Sequence, residues 1–478
     1  MSITRRQFLG RSSAAAAAIT VPMVVPRSVL GANDEIRVGV IGLGNRGAGS
    51  HVPAMEGQQG VRVVAVCDPD QQRLGKCADS IKSRYKHDVR RFVDLRKLIE
   101  NKDIDVVTVA TMQYWHALPT IWACQAGKHV YCEKPLAHFI REGQAMVKAA
   151  RKYDRLVQIG TQARSENRAR AAIEYIQSGA LGKIKYITSF ANKPRTPIGL
   201  RTEPLPIPDT LDYELWCGPA RKEPIFRNRV QYDCSFTWNM GDGESCNQGV
   251  HEIDVARWVL GEEKLPRRVM SLGGRFCFND AADVPNTQII YYDFPTAPVL
   301  YEVHNMRESK KSGRAPTFRG VRTDACVDCE GGYVMVRSGF ACDKSGRRIK
   351  SFPGGGNHYA NFIAAVRSGR REDLHADILE GHRSTAITHA GNVSYRLGKK
   401  AAEAEMREQV KDVPLLSEMY DRFLAHVKGH DVDVDAKTVT LGPWLEIDRD
   451  NECFAANEKA NEIVEGFYRK PWVLPELG

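Results

Sequence analysis

The chain has 478 residues, 42% hydrophobic and 26% charged, with 40 glycines and 23 prolines; this excludes a fibrous or mainly disordered protein and predicts two or three domains. Net charge is +10, but Arg5, Arg6, Arg11 and Arg27 fall in the first 31 residues, and the +6 left on the rest contains no Lys/Arg block. That speaks against nucleic-acid binding. Twelve cysteines are too sparse for a disulfide scaffold, and Cys326 with Cys329 has no second pair at zinc-finger spacing.

Residues 1–33 read as a targeting segment and short linker. Arg5-Arg6 stands just ahead of Phe8-Leu9, an apolar stretch runs from Ala14 to Val25, and small residues follow at Gly31 and Ala32. The apolar run is too short to span a bilayer. The segment resembles a twin-arginine export signal. It predicts a protein that meets the twin-arginine translocase already folded and ends in the periplasm or outside the cell. No later stretch reaches 18 apolar residues, so no stable membrane insertion is expected.

Residues 34–160 alternate strand and helix. A β-branched run, Glu35–Ile41, flows into Gly42-Leu43-Gly44-Asn45-Arg46-Gly47, then a helix near 48–55, a second strand Val61–Val66, and Asp68. A G-x-G-x-x-G that follows a strand, opens a helix and is answered by an acid after the next strand is a dinucleotide fingerprint. Gly42 permits the tight turn, Gly44 lets the backbone approach the pyrophosphate, and Gly47 lets helix and strand pack. Asn45 and Arg46 complete the turn at the helix N-terminus. Asp68 would hold the ribose hydroxyls and repel a 2′-phosphate, favouring NAD, with NADP the alternative. Strands at 104–110, 128–132 and 156–159 follow helices at 93–101, 116–126 and 141–153, which predicts a parallel Rossmann sheet with its site at the strands' carboxyl ends.

The rim segments Ala110-Thr-Met-Gln-Tyr-Trp-His116 and Ala126-Gly-Lys-His-Val-Tyr-Cys-Glu133-Lys134-Pro135-Leu-Ala137 resemble the glucose–fructose oxidoreductase/inositol dehydrogenase (Gfo/Idh/MocA) family. The resemblance runs from about Ile36 to Leu397. It implies a Rossmann domain followed by an α/β domain on an open, mainly antiparallel sheet, and NAD(P)-dependent chemistry on a sugar or cyclitol hydroxyl. Lys134 would hydrogen-bond the reacting hydroxyl, with Thr111, His116 and Glu133 on the cofactor side. Homo-oligomers through the open sheet face are implied as well. Met112 stands where the family commonly has Pro.

Cys246–Trp258 reads as one helix with Asn247, His251 and Asp254 along one side. It resembles the family helix in which His251 is the general acid/base; Asn247 replaces the common Asp and cannot take a proton. Gln162, Arg164, Trp238 and Asn239 are candidate substrate contacts. His382, Arg383 and His389, in a helix near 378–397, read as packing or domain-closure residues. His251, Asp254 and His389 have no fixed ligand spacing, so no metal is predicted.

Residues 161–400 are expected to form the substrate domain, with strands at 183–190, 268–274, 287–292, 299–304 and 332–336. Long loops at 193–230 and 306–330 are expected to roof the site. Residues 401–478 read as a polar helix, drawing in Lys399 and Lys400, and an irregular tail whose Trp444, Phe467 and Trp472 wrap the body or a neighbour. Three functions fit: an oxidoreductase on a carbohydrate hydroxyl, with cofactor loaded before export and recycled in place; an NAD-dependent glycoside hydrolase or lyase working through a transient keto-sugar; and a binding protein with a decayed site, which Met112 and Asn247 favour.

Overall fold

The computed structural model describes residues 35–477; the export signal read at 1–33 lies outside them. Strands β1 (Ile36–Ile41), β2 (Val61–Cys67), β3 (Arg90–Phe92), β4 (Val106–Val109), β5 (His129–Cys132) and β6 (Val157–Ile159) form one sheet in the order β3-β2-β1-β4-β5-β6. Every pairing is parallel. This is the doubly wound dinucleotide-binding order. Its inner strands are continuous Val/Ile runs because helices cover both faces. β3 escapes sequence reading because Arg90 and Arg91 are exposed on a sheet edge, where charge blocks further pairing. The covering helices are α1 (Val52–Glu56), α2 (Gln71–Tyr85), α3 (Leu95–Ile99), α4 (Ala117–Gln125) and α5 (Ile140–Lys152).

After α6 (Asn167–Gln177) the chain builds a second sheet. Its central strand β7 (Ile184–Asn192) is followed by α7 (Tyr213–Cys217), α8 (Gly243–Asn247), α9 (Gly249–Leu260), β8 (Arg268–Gly274), β9 (Thr287–Tyr292) and β10 (Val299–His304). Next come β11 (Thr323–Cys329), β12 (Gly332–Met335), β13 (Phe340–Asp343) and β14 (Arg348–Ser351). Only the β7–β10 pair is parallel; the remaining pairs are antiparallel, so the sheet is mainly antiparallel as expected. The chain then returns to the first sheet: α10 (His358–Ser368) packs Phe362, Ile363 and Val366 beside β1 and β2. The start of α11 (Ile378–Arg396) sits on β6, where the Ile159 amide donates to the Ala376 carbonyl at 3.0 Å.

Two sequence expectations fail here. The segment 306–330 does not roof the site: its second half is β11, paired to β7, and the Lys310 amide bonds the Gly429 carbonyl. The C-terminal region is not irregular. Lys399–Ala401 is a strand, β15, rather than helix, followed by α12 (Glu403–Val410), α13 (Pro414–Lys428), β16 (Val439–Leu441), β17 (Leu445–Asp448), β18 (Cys453–Phe454) and α14 (Glu458–Glu465). β16 and β17 extend the second sheet beside β8. Leu416, Met419, Tyr420 and Phe423 of α13 bury the outer face of β8–β10, which accounts for a helix that local polarity alone did not reveal. Among the described residues no helix is long and apolar enough to cross a membrane.

Candidate active site

The glycine-rich turn has the geometry its sequence predicts. Gly42 sits at φ +85°, and a Cβ there would lie 2.7 Å from the Ala110–Thr111 backbone. A Cβ on Gly47 would fall 1.7 Å from the Gly42 carbonyl oxygen, so only glycine closes the turn against the strand. Above Gly44 the space is open, the nearest atom to an added Cβ being Arg73 Nη1 at 3.4 Å. Asn45 and Arg46 are exposed at its crest. Asp68 is buried beside the turn, accepting from the Leu43 amide at 2.7 Å and the Asp70 amide at 2.9 Å. Burial raises its pKa above the ordinary carboxylate value despite those two bonds. The open cradle and the adjoining acid fit a dinucleotide.

The loop after β5 closes the next part of the rim. Glu133 accepts from His51 Nε2 at 3.2 Å and pairs with Arg46 at 3.4 Å. Burial alone would raise its pKa; the His51 bond and the charges of His51, Arg46 and Lys134 prevail and hold it at about 2. A Cβ on Gly160 would lie 2.9 Å from this carboxylate, so the start of the next loop must be glycine for Glu133 to fit. Gln162 also reaches the carboxylate, at 3.4 Å. His51 is a residue the sequence reading missed: a lone histidine after a glycine-rich turn has no local signature.

Lys134, half-buried, spans to the second sheet's helices. Its Nζ donates to the Asn247 carbonyl at 2.6 Å and to Asn247 Oδ1 at 3.1 Å. Two of its three N–H groups are thereby used, leaving one for a ligand oxygen. Burial holds the ammonium pKa below its ordinary value even with Glu133 and Glu244 nearby. Glu244, itself gripped by Arg195 at 2.9–3.0 Å, receives the Asn247 amide at 3.5 Å. Asn247 therefore fixes Lys134 in place.

His251 lies buried on the first turn of α9, and its Nδ1 has no hydrogen-bond partner. Burial, together with Lys134, Arg337, Arg46 and Lys193, pushes its pKa well below the ordinary histidine value. It is thus a neutral imidazole with a lone pair to offer. The helix expected from Cys246 to Trp258 is interrupted after Asn247, and Asp254 does not share the site.

Five other candidates are held by contacts within the protein. Arg164, read as a substrate contact, is buried and forks onto Asp254 at 2.9–3.0 Å and Glu380 at 3.0 Å. The turn 162–165 sends Gln162 to the rim and Arg164 into the core. Asn239 is a loop latch, bonding the Arg221 backbone on both sides at 2.9 Å. Trp238 lies half-buried against Tyr395, with the Arg396 guanidinium 5.2 Å from its ring. His116 is buried with Nδ1 2.7 Å from the Pro135 carbonyl and Nε2 3.1 Å from that of Thr111, tying two rim loops together. Thr111 Oγ1 bonds the Trp115 carbonyl at 3.3 Å.

The sheet order, the open glycine turn and the lysine-bearing rim define a nucleotide-binding α/β protein of the oxidoreductase type. Residues 36–161 match the NAD-binding Rossmann fold of the Gfo/Idh/MocA oxidoreductase family, and residues 176–296 match its C-terminal alpha/beta domain. Together they cover more than half of the chain, which belongs to that family; its first domain is an NAD-binding domain. The chain is 34% identical over 162 residues to a glycosyl hydrolase family 109 protein of Shewanella sp. (strain ANA-3), covering 29% of this chain and 35% of the relative. It is 30% identical over 237 residues to an inositol 2-dehydrogenase/D-chiro-inositol 3-dehydrogenase of Shouchella clausii, covering 49% and 56%. The chain thus spans between a third and just over half of these relatives' lengths. The crystal structure of aldose-aldose oxidoreductase from Caulobacter crescentus, complexed with glycerol, superposes with a TM-score of 0.55 at 18% identity, covering 74% of this chain and 96% of that one.

Proposed function

We propose that the protein is an NAD-dependent oxidoreductase acting on a hydroxyl of a sugar, sugar derivative or cyclitol. The observation that carries the reading is the junction of Lys134, held by Asn247, with the neutral His251 beside the dinucleotide cradle. NAD, when bound, supplies the hydride acceptor. The chain's own part is to take the hydroxyl proton on His251 while the remaining Lys134 N–H stabilises the oxygen as it gains charge. Asn247 and Glu244 keep the ammonium aimed, and Asp68 favours NAD over NADP by repelling a 2′-phosphate.

A second reading has support of its own. The match to a glycosyl hydrolase family 109 protein suits redox-neutral cleavage, in which a transient ketone two carbons from the anomeric carbon acidifies the C–H between them, the aglycone leaves by β-elimination, water adds to the double bond, and the ketone is reduced again. The same lysine and base serve both. Purified protein offered free sugars and aryl glycosides separates them: net NADH identifies a dehydrogenase, and aglycone release without net NADH identifies the glycosidase. Tight NAD binding with neither product would leave a binding protein and overturn both.

A further inference from the structure

Behind the Lys134–Asn247 contact lies a second cluster that the proposed chemistry does not use. Asp242, just before α8, Cys246, near its end, and His389, in the middle of α11, each present a ligand atom, and the three atoms lie within 4.8 Å of one another. All three residues are buried. His389 Nε2 is 2.9 Å from the Ala137 carbonyl. A carbonyl only accepts, so Nε2 carries the proton, and Nδ1 of the neutral ring carries the lone pair. That lone pair faces Asp242 Oδ1 at 3.8 Å and Cys246 Sγ at 3.7 Å. The Cys246 thiol proton has Thr388 Oγ1 at 3.4 Å and that lone pair within reach, and a cation taking the proton's place would draw the three donors together.

We infer that Asp242, Cys246 and His389 form a binding site for one zinc-like divalent cation. Tetrahedral zinc, with bonds of roughly 2.0 Å to N and O and 2.3 Å to S, sets its ligand atoms about 3.3–3.6 Å apart. The two distances to His389, 3.8 and 3.7 Å, lie a few tenths of an ångström beyond that range, and the Asp242–Cys246 separation, within 4.8 Å, would have to close further. The surroundings are those that orient metal ligands. His389 donates its other N–H to a backbone carbonyl. Asp242 Oδ2 accepts from His138 Nδ1 at 3.0 Å and from Gln113 Nε2 at 3.2 Å. Cys246 Sγ accepts from Asn392 Nδ2 at 3.4 Å. A thiolate, an imidazole and a carboxylate suit zinc, cobalt(II) or iron(II), and not magnesium or calcium.

A small cavity lined by His138, Trp238, Asp242, His389, Asn392 and Arg396 adjoins the cluster and leaves room for water as the fourth ligand. His138 Nε2 is buried there without a protein partner. Binding replaces the thiol proton: Cys246 S–H loses it to solvent as the S–metal bond forms, and no electrons move. Cys246 directly precedes Asn247, and Ala137 closes the Lys134 loop, so the ion would clamp both ends of the lysine contact.

The test uses the full chain, stripped with a chelator, then given zinc or cobalt(II) and desalted. About one equivalent of metal retained, a thiolate-to-cobalt charge-transfer band, and a Tm that rises with zinc are expected. All three should vanish in Cys246→Ser and in His389→Ala, while Thr388→Val keeps them. Folded protein that retains less than about a tenth of an equivalent overturns the site. So does a cobalt spectrum identical in Cys246→Ser. Should Cys246→Ser fail to fold, the wild-type charge-transfer band decides: its absence refutes thiolate ligation.

Discussion

Arg164 and Lys134 show how differently two buried cations are used. Arg164 has its fork on Asp254 and Glu380 and its guanidinium 5.3 Å from the Trp258 ring centroid. Removing one partner of such a pair leaves a buried, uncompensated charge, at a cost of about 3–5 kcal/mol. Arg164→Ala should lose that much in denaturant unfolding with its KM unchanged; a raised KM without lost stability would return it to the substrate site. Lys134→Ala should lower kcat by orders of magnitude while NAD affinity, read by fluorescence titration, stays nearly intact. His251 must be neutral to accept a proton, and burial with four cations around it lowers its pKa. The acid limb of kcat/KM should therefore fall below pH 6.5, histidine's usual midpoint. A midpoint at or above that value, or a limb that survives His251→Ala, would assign the base elsewhere.

The loop leading into α7 and the C-terminal tail together cover part of the first sheet's rim. The Gln71 amide donates to the Thr210 carbonyl at 2.8 Å, and Thr210 Oγ1 reaches Asp70 at 3.1 Å, so this loop sits beside the Asp68 end of the cradle. Arg469 grips the carbonyls of Gly218 and Ala220 at 3.1 and 3.2 Å. Trp472 lies edge-on to Trp115 at 5.2 Å, with the Arg96 guanidinium 4.7 Å from its ring. One apolar cluster joins Trp472 to Tyr114, Leu211, Trp216 and Met240. A buried Trp→Ala truncation costs about 3–5 kcal/mol, enough to loosen a surface cover before the core. Trp472→Ala should therefore release bound NAD at least about tenfold faster in a stopped-flow chase; an unchanged release rate would make the tail a bystander.

The export expected from residues 1–33 would pose a supply problem for the proposed enzyme, because a cofactor spent outside the cytoplasm has no pool to restore it. The proposed answer is that NAD is loaded before export, held under the cover and returned to its starting state within each cycle, by reducing a second sugar or the same one. All twelve cysteines are free thiols, ten of them buried. Protein purified from the periplasmic fraction and denatured should yield near-stoichiometric NAD. Cofactor-free protein that turns over only with added NAD, or protein confined to the cytoplasm, would defeat the proposal.

What was legible in the sequence is what local pattern can carry. Apolar runs alternating with helical segments specify a parallel sheet, because strands covered on both faces must be apolar throughout. The turn from Gly42 to Gly47 is equally plain, since steric exclusion at two glycines needs no distant information. Tertiary structure alone decided the rest. Lys134 meets Asn247 across 113 positions, and Cys246 meets His389 across 143. No periodicity announces such partners; they are set by how α8, α9 and α11 pack between the two sheets. Arg164 shows the reason most clearly. Its segment read correctly as a rim loop, but whether a side chain there faces a ligand or an ion partner depends on which charge the packing brings within reach. Here the packing brings Asp254.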